Sequence, residues 1–282
     1  MTTRSMIRGP SPSRGPAIGE LAPEAGPGPG RAVLNGIRLL ATRYWGVVVL
    51  VLVWHGYVTL FDVNVLVIPS PGSVFGELTT NTSRYIEPTI STLTVAAVGM
   101  VGGTLMGVTL ASLSWFARAL SGIFTPIAVI IRSVPIVAMI PVLARVFGYE
   151  QRTILVITIA ISFFPTFVFV SSGLRATPPG SADVFAALGA GRMTVFRRLA
   201  LPSAVPNGLI AFRLSAADCV LAALIAEFLM GTQGLGHVFQ DTVGDLDMLT
   251  AWSAAIVATI LSVAFFVFAK RVERTGNERW SI

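Results

Sequence analysis

The sequence is poor in charged residues, which make up 12% of its 282 residues, whereas hydrophobic residues make up 54%. Soluble domains carry about 25% charged residues, so a soluble globule of this composition would expose large apolar patches. A disordered chain is excluded as well, because disorder requires low hydrophobicity. The composition therefore predicts an integral membrane protein, and six spans of about 20 residues each fit its length.

Three other residue types are scarce, and each scarcity excludes a kind of site. Cys219 is the single cysteine, and His55 and His237 are the two histidines, so we expect no internal disulfide and no metal site. The single lysine, Lys270, lacks the glycines of the phosphate-binding pattern G-x-x-x-x-G-K-S/T. The motifs H-E-x-x-H and G-x-S-x-G are also missing. We therefore expect that the chain is not an enzyme and does not itself bind ATP.

Six apolar segments follow a tail, residues 1–43, that is rich in proline, glycine and arginine and is predicted to be flexible and cytoplasmic. The segments predict an all-α, polytopic bundle of about six transmembrane helices over residues 44–282: 44–61, 91–116, 121–147, 153–173, 206–230 and 249–270. Prolines interrupt the third segment, and such breaks are tolerated where a cavity or a neighbouring helix satisfies the freed backbone groups. The third segment is therefore expected to line a cavity.

Positive charge is concentrated in the tail, in the loop 174–205 and at the C terminus. The positive-inside rule places these regions, and hence both termini, in the cytoplasm. The sequence pI of 10.4 is then explained by topology, so lipid is the expected surrounding and no nucleic-acid binding is expected.

Two local patterns predict packing features. Ser70 is a good N-cap residue and Pro71 suits a first helical turn, so a short helix is expected at the outer surface. Gly99, Gly103, Gly107 and Ala111 recur every four residues and form a small-residue ridge. The ridge permits close helix packing within one chain, which we favour, or between two chains.

The longest inner loop predicts a pair of short helices. Ser181 is a candidate N-cap, Gly189 breaks the first helix, and a second helix at about 192–200 is expected to end before Pro202. The first helix presents apolar residues beside a basic rim, which suits either docking into the groove of a partner protein or lying on the bilayer surface. The residues alone leave both interpretations open.

Four charged residues lie inside predicted spans, where charges usually face a partner or a water-filled cavity. Arg132 suits an anionic cargo group or an internal ion pair; Arg213 and Asp218 favour ion pairing; Glu227 favours bracing the glycine-rich loop 231–236. The candidate pathway residues are Arg132, Pro135, Met139, Asp218 and Glu227.

The inner loop resembles the E-A-A-x3-G-x9-I-x-L-P signature of bacterial ABC-importer permeases. Asp183 stands where that family usually has glutamate, and Val184 and Phe185 stand where it has two alanines. The resemblance implies that residues 181–200 form the coupling helix, which docks into a groove of the ATP-binding subunit. The implied ATPase-coupling residues are Asp183, Val184, Phe185, Ala186, Ala187, Leu188, Gly189, Ala190, Phe196, Leu201 and Pro202.

Three further motifs resemble the sulfonate, taurine and nitrate permeases of that family, and the match extends from about residue 45 to the C terminus. They are Ile68-Pro69-Ser70-Pro71, then Arg132-Ser133-Val134-Pro135 followed by Ile140-Pro141, and Ala226-Glu227-x3-Gly231-x2-Gly234-Leu235-Gly236. The resemblance implies a type I ABC-importer transmembrane domain in the inner (plasma) membrane.

The same resemblance implies the partners and the cargo. A second permease copy, in a homodimer, two ATPase subunits that bind ATP and magnesium, and an extracytoplasmic solute-binding protein are expected, with no cofactor in the chain itself. The implied cargo is a small organic anion such as a sulfonate, taurine or nitrate, and the alternative is a pyrimidine, riboflavin or an aromatic acid. A stand-alone proton-coupled secondary transporter, with Asp218 and Glu227 as its relay, is the alternative from another class.

Overall fold

The computed structural model describes residues 29–117, 122–123, 126, 130 and 135–280, and within these ranges it describes side chains from Trp45 to Arg279. Every regular element in these ranges is helical, so the fold is all-α as predicted. The helices are α1 Pro29–Leu60, α2 Pro71–Thr80, α3 Ser83–Phe116, α4 Ile136–Phe147, α5 Gln151–Arg175, α6 Ser181–Ala187, α7 Arg192–Val195, α8 Leu201–Met230, α9 Leu235–Gly244 and α10 Met248–Trp280. The chain divides into two units, Met1–Val53 and Trp54–Ile282.

Four stretches are long and apolar enough to cross a membrane: Ser83–Phe116, Gln151–Arg175, Arg192–Met230 and Met248–Arg279. They correspond to the second, fourth, fifth and sixth predicted segments. Shorter apolar helices, Trp45–Leu60 and Ile136–Phe147, occupy the first segment and the described part of the third. The short helix expected at Ser70 is α2, whose backbone N–H of Ser73 donates to the Ser70 hydroxyl.

Helix α1 begins earlier than the sequence predicts. The flexible tail was expected to reach residue 43, but the helical backbone starts at Pro29. The apolar pattern did not indicate this start, because the arginines in residues 31–43 lower the local hydropathy. The same stretch forms a helix because alanine, leucine and arginine are good helix formers. The remainder of the predicted tail, residues 1–28, lies outside the described residues.

The small-residue ridge of α3 packs against α5 within the same chain. A side chain at Gly103 would place its Cβ 2.7 Å from the Cβ of Ser162 and 2.8 Å from the backbone nitrogen of Phe163. The hydroxyl of Ser162 donates to the backbone oxygen of Met100 at 3.0 Å across the same contact. The intrachain alternative is therefore the one that the structure shows.

Helix α8 lies at the centre of the bundle and contacts α3, α4, α5, α9 and α10. Its buried face consists of small residues such as Ala216, Cys219 and Ala223, which pack against Ile154 and Ile157 of α5. Small side chains let the helices approach closely, which supplies the van der Waals contact that drives helix association in lipid.

The helix expected to end before Pro202 instead continues into α8. Phe196–Ala200 form a π-helical turn, in which the Leu201 N–H donates to the Phe196 carbonyl five residues back. Proline has no N–H to donate and clashes with the preceding turn of a regular α-helix. Since Pro202 lies in the first turn of α8, immediately after the π-turn, the wider turn accommodates it and the helix runs on.

Candidate functional site

The coupling segment, defined as residues 181–200, projects an apolar surface from the helical bundle. Val184 is 58% exposed and Leu188 is 77% exposed, whereas Phe185 is half-buried. Asp183 lies in the first turn of α6, where a carboxylate interacts favourably with the helix dipole. The remaining members, Ala186, Ala187 and Gly189, are exposed as well, and Ala190 is half-buried.

The N-terminus of α6 differs from the sequence prediction. Gly180 takes the N-cap position with φ of +77° and makes no side-chain cap. The Ser181 hydroxyl instead donates to the backbone oxygen of Pro178 at 2.6 Å. The expectation that Ser181 caps the helix is therefore wrong, because its hydroxyl closes the preceding Pro178–Ser181 turn.

Gly189 turns the chain between α6 and α7. Its φ is +67°, a left-handed conformation that side-chain-bearing residues rarely adopt. The Gly189 N–H donates to the Ala186 carbonyl at 3.0 Å, which closes the turn. The glycine thus ends α6 and directs the chain toward α7.

An aromatic cluster fastens the coupling segment to the end of α3. The ring of Phe196 lies 5.2 Å from that of Trp115 and 4.8 Å from that of Phe116, between ring centroids. The Arg192 guanidinium donates from Nη2 to the Phe116 backbone oxygen at 2.7 Å. A cationic donor at a helix C-terminus satisfies a free carbonyl and the helix dipole together. Phe196 therefore anchors the segment instead of being presented at its exposed surface.

Leu201 and Pro202 begin α8 and are half-buried. Ala200 and Ala204 on either side of them are buried in a cluster with Phe167, Val170 and Leu174 of α5. The C-terminal part of the coupling segment is continuous with a membrane-spanning helix, since the backbone is helical from Arg192 to Met230.

A cleft of about 520 Å³ lies between α5, α8 and the start of α4. Two predicted pathway residues, Pro135 and Asp218, line it together with Ile136, Ala160, Ile161, Phe164, Pro165, Val168, Phe169 and Leu214. Asp218 is exposed, although it lies within a span. Among the described residues that line the cleft, Asp218 is thus a carboxylate and the others are apolar or aromatic.

The other predicted pathway residues lie elsewhere. Met139 is 37% exposed on α4 but does not line this cleft. Arg132 lies outside the described residues. Glu227 is fully buried near the end of α8.

The Glu227 carboxylate is hydrogen-bonded to the glycine-rich loop 231–236, as expected from the sequence. Its Oε2 accepts hydrogen bonds from the Thr92 hydroxyl at 2.8 Å and from the Gly236 backbone N–H at 3.0 Å. The Thr92 hydroxyl in turn accepts from the Leu235 N–H at 3.0 Å. Gly234 has φ of +128°, and a Cβ there would overlap the Glu227 carboxylate. Thr92 and Glu227 together therefore satisfy the first N–H groups of α9.

Arg213 does not pair with Asp218. Its Nη1 lies 3.0 Å from Oε2 of Glu273 on α10. Arg213 and Asp218 are five residues apart on one helix and project from different faces, whereas Glu273 approaches from the neighbouring helix. The sequence prediction overlooked Glu273 because it lies in the charged C-terminal region, beyond the last apolar segment.

Comparison with known proteins decides the family. Residues 99–275 match the family model of the binding-protein-dependent transport system inner membrane component. The chain belongs to this family. It is therefore a multi-pass inner-membrane permease component of an ABC transporter. Such components work with ATPase and substrate-binding partners and in a dimeric arrangement, and are not themselves the ATPases.

Several curated relatives span most of the chain. A probable ABC transporter permease protein of Haemophilus influenzae is 26% identical over 77% of this chain and 89% of its own length. The formylaminopyrimidine transport permease protein ThiX of Halalkalibacterium halodurans is 24% identical over 73% and 83%, respectively. The taurine transport system permease protein TauC of Escherichia coli is 27% identical over 78% and 82%.

Solved structures show the same fold. A chain of an amino acid ABC transporter crystallised with histidines superposes with a TM-score of 0.60 at 18% identity, over 71% of this chain and 98% of that one. A chain of the MetNI methionine ABC transporter in an inward-facing conformation gives a TM-score of 0.58 at 20% identity, over 68% and 95%. The fold is that of a type I ABC-importer transmembrane domain.

Proposed function

We propose that two copies of this chain form the translocation pathway of an ATP-driven importer and that each couples to an ATPase through residues 181–200. The observation that supports this proposal is that the coupling segment is exposed and at the same time anchored to α3. Val184 and Leu188 are apolar and exposed, and a groove that covered them would bury apolar surface at about 25 cal/mol per Å². The alternative of lying on the bilayer leaves unexplained why the segment is anchored to α3.

The partners follow from the division of labour in the family. ATP and magnesium bind to two separate ATPase subunits, and the chain itself holds no cofactor. A single set of motifs in the chain supports a homodimer. A solute-binding protein delivers cargo to the outer loops, and both termini lie in the cytoplasm.

The proposed mechanism is alternating access. Closure of the ATPases displaces the coupling segment, and the continuous helix from Arg192 to Met230 transmits that displacement into the bundle. Small shifts of packed helices convert between two discrete arrangements because packed interfaces are bistable. The cavity then opens outward to receive cargo, and hydrolysis restores the inward-facing state.

The proposed cargo is a small organic molecule. The motif resemblance favours a sulfonate, taurine or nitrate, and the taurine relative supports this class. The formylaminopyrimidine relative supports the heterocyclic alternative. Nitrate rests on the motif resemblance alone.

The test is co-purification of the chain with a co-expressed ATPase subunit from the same organism, followed by ATP-driven transport in proteoliposomes. Gly189→Arg introduces a bulky charge at a left-handed residue of the coupling turn, so ATPase binding or transport coupling should be lost. Gly244→Arg is the matched control, because Gly244 is exposed at the end of α9 with open space around it.

An unmodified chain that binds no ATPase but transports solute along a proton gradient would overturn the importer proposal. The stand-alone secondary transporter would then be the correct function. Equal loss of ATPase binding in both glycine variants would show that added charge, and not the turn, is responsible.

A further inference from the structure

Asp218 is the ionisable side chain among the described residues that line the cleft between α5 and α8. The other described lining residues are apolar or aromatic, and none of them carries positive charge. Arg213, five residues away on the same helix, has its own partner in Glu273. Within the described part of the chain, Asp218 forms neither a hydrogen bond nor an ion pair. A carboxylate inside a span that has no partner among the described residues is costly and usually serves a ligand or a cavity.

The other described residues of the cleft suit a small ligand with a flat apolar face. Phe164 and Phe169 contribute aromatic rings, and Pro165 lies between them in sequence. Aromatic rings favour stacked or edge-on contact with a flat group. The volume of about 520 Å³ lies within the range of small-molecule sites, roughly 300–1,000 Å³.

We propose that this cleft is a cargo-binding site that recognises an amino or ammonium group, which donates a hydrogen bond to Asp218. Charge-assisted hydrogen bonds to a carboxylate are about twice as strong as neutral ones, whereas an anionic group meets repulsion there. The inference rests on the proposed importer function and narrows its cargo. Taurine qualifies through its ammonium group and an aminopyrimidine through its amino group; nitrate and simple alkanesulfonates are excluded.

The experiment measures binding of three probes to the chain in lipid nanodiscs by saturation-transfer difference NMR. Taurine and 4-aminopyrimidine each present an N–H donor, one on a sulfonate and the other on a flat ring. Ethanesulfonate matches taurine but lacks the ammonium group. We expect saturation transfer to at least one amino probe and at least about tenfold weaker binding of ethanesulfonate, as the loss of a hydrogen bond to a charged group implies.

Asp218→Asn keeps the size of the side chain and removes its charge, so amino-probe affinity should fall about tenfold or more. Asp245→Asn is the matched control, since Asp245 is an exposed acid at the C-terminal end of α9, and it should bind as the unmodified chain does. Phe169→Ala separates the two amino probes, because only the aromatic ring of 4-aminopyrimidine should lose affinity through the lost stacking. The unmodified chain tests probe preference even if a variant fails to fold.

Three outcomes would overturn the inference. One is preferential binding of ethanesulfonate, above all if Arg132→Gln abolishes it, because the site would then recognise an anion. Another is an Asp218→Asn variant that binds every probe normally. The third is an Asp218→Asn variant that changes the permease dimer on light scattering without changing probe binding, because the cleft would then be a subunit interface. ATPase co-purification remains intact in all three, so failure of this inference is distinguishable from failure of the importer proposal.

Discussion

The guanidinium of Arg213 on α8 and the carboxylate of Glu273 on α10 form an ion pair with an Nη1–Oε2 distance of 3.0 Å. Their side chains are 30% and 11% exposed, respectively. The pair therefore links two membrane-spanning stretches in a largely desolvated position. Removing one partner from such a position leaves the other charge without compensation, which costs more than the pair contributes.

Glu273→Ala should destabilise the protein by about 1–3 kcal/mol, because Arg213 keeps its partly buried charge and loses its partner. The midpoint of thermal unfolding in detergent should fall by about 2–4 °C per kcal/mol. Glu278→Ala is the control: Glu278 pairs with Arg274 at 2.9 Å, but both side chains are more than half exposed. A surface pair contributes about 0–1 kcal/mol, so its midpoint should hardly move.

A double variant, Arg213→Leu with Glu273→Leu, separates the pair from the lone charge. It should be more stable than Glu273→Ala, because neither charge is then left unpaired. Equal midpoints of thermal unfolding for Glu273→Ala and Glu278→Ala would show that the Arg213–Glu273 pair does not stabilise the protein.

The sequence predicts those features that follow from local patterns. Hydropathy places the four long spans, the serine–proline pair places the start of α2, and the four-residue recurrence of glycine places the ridge against α5. In each case one physical rule acts on neighbouring residues. The aspartate, the glycine turn and the apolar residues of the coupling segment are also recognisable, because the family signature is continuous in sequence.

Contacts between distant residues are harder to predict. Thr92 donates a hydrogen bond to Glu227, which lies 135 positions later in the sequence. No local sequence pattern near either residue predicts this contact. One available signal is that Thr92 lies seven residues before Gly99, on the same helical face as the ridge. The π-turn before Pro202 was also missed, because proline chemistry alone predicts a helix end. Its accommodation depends on how Ala200 and Ala204 pack against α5.

Gly103→Ala should weaken the contact between α3 and α5. The added methyl group would lie 2.7 Å from the Cβ of Ser162, so the two helices must separate. Overpacking of this kind costs about 1–3 kcal/mol. Gly56→Ala is the control, because a Cβ at Gly56 meets nothing within 4 Å. Thermal unfolding should distinguish the two variants, and an unchanged midpoint for Gly103→Ala would mean that the helices can slide apart freely.

Phe196→Ala should uncouple ATP hydrolysis from transport without abolishing folding. The variant removes the ring that contacts Trp115 and Phe116, at a cost of roughly 1–3 kcal/mol for a half-buried aromatic side chain. The coupling segment then moves independently of α3. Transport per ATP hydrolysed should fall in proteoliposomes that contain the ATPase. Phe75→Ala, at a position that is 69% exposed on α2, should leave this ratio unchanged.

Thr92→Val should release the loop that begins α9. Valine matches threonine in shape but removes the hydroxyl that donates to Glu227 and accepts from the Leu235 N–H. A buried N–H and a buried carboxylate each lose a partner, which costs about 1–3 kcal/mol per unsatisfied group. Amide hydrogen exchange in detergent should therefore accelerate at residues 235–238, where the first turn of α9 is held, more than in the remainder of the helix.

Two further variants test the role of this hydroxyl. Thr92→Ser retains the hydroxyl, so exchange at the start of α9 should stay close to that of the unmodified protein. Thr94→Val removes a hydroxyl that is exposed and donates only within α3, to Ile90, so it should leave α9 unchanged. If Thr92→Ser accelerates exchange and Thr92→Val does not, the methyl contact holds the loop and the hydrogen bonds to Glu227 and Leu235 do not. If all three variants exchange as slowly as the unmodified protein, Glu227 alone suffices to hold the loop, because its bond to the Gly236 N–H survives in each.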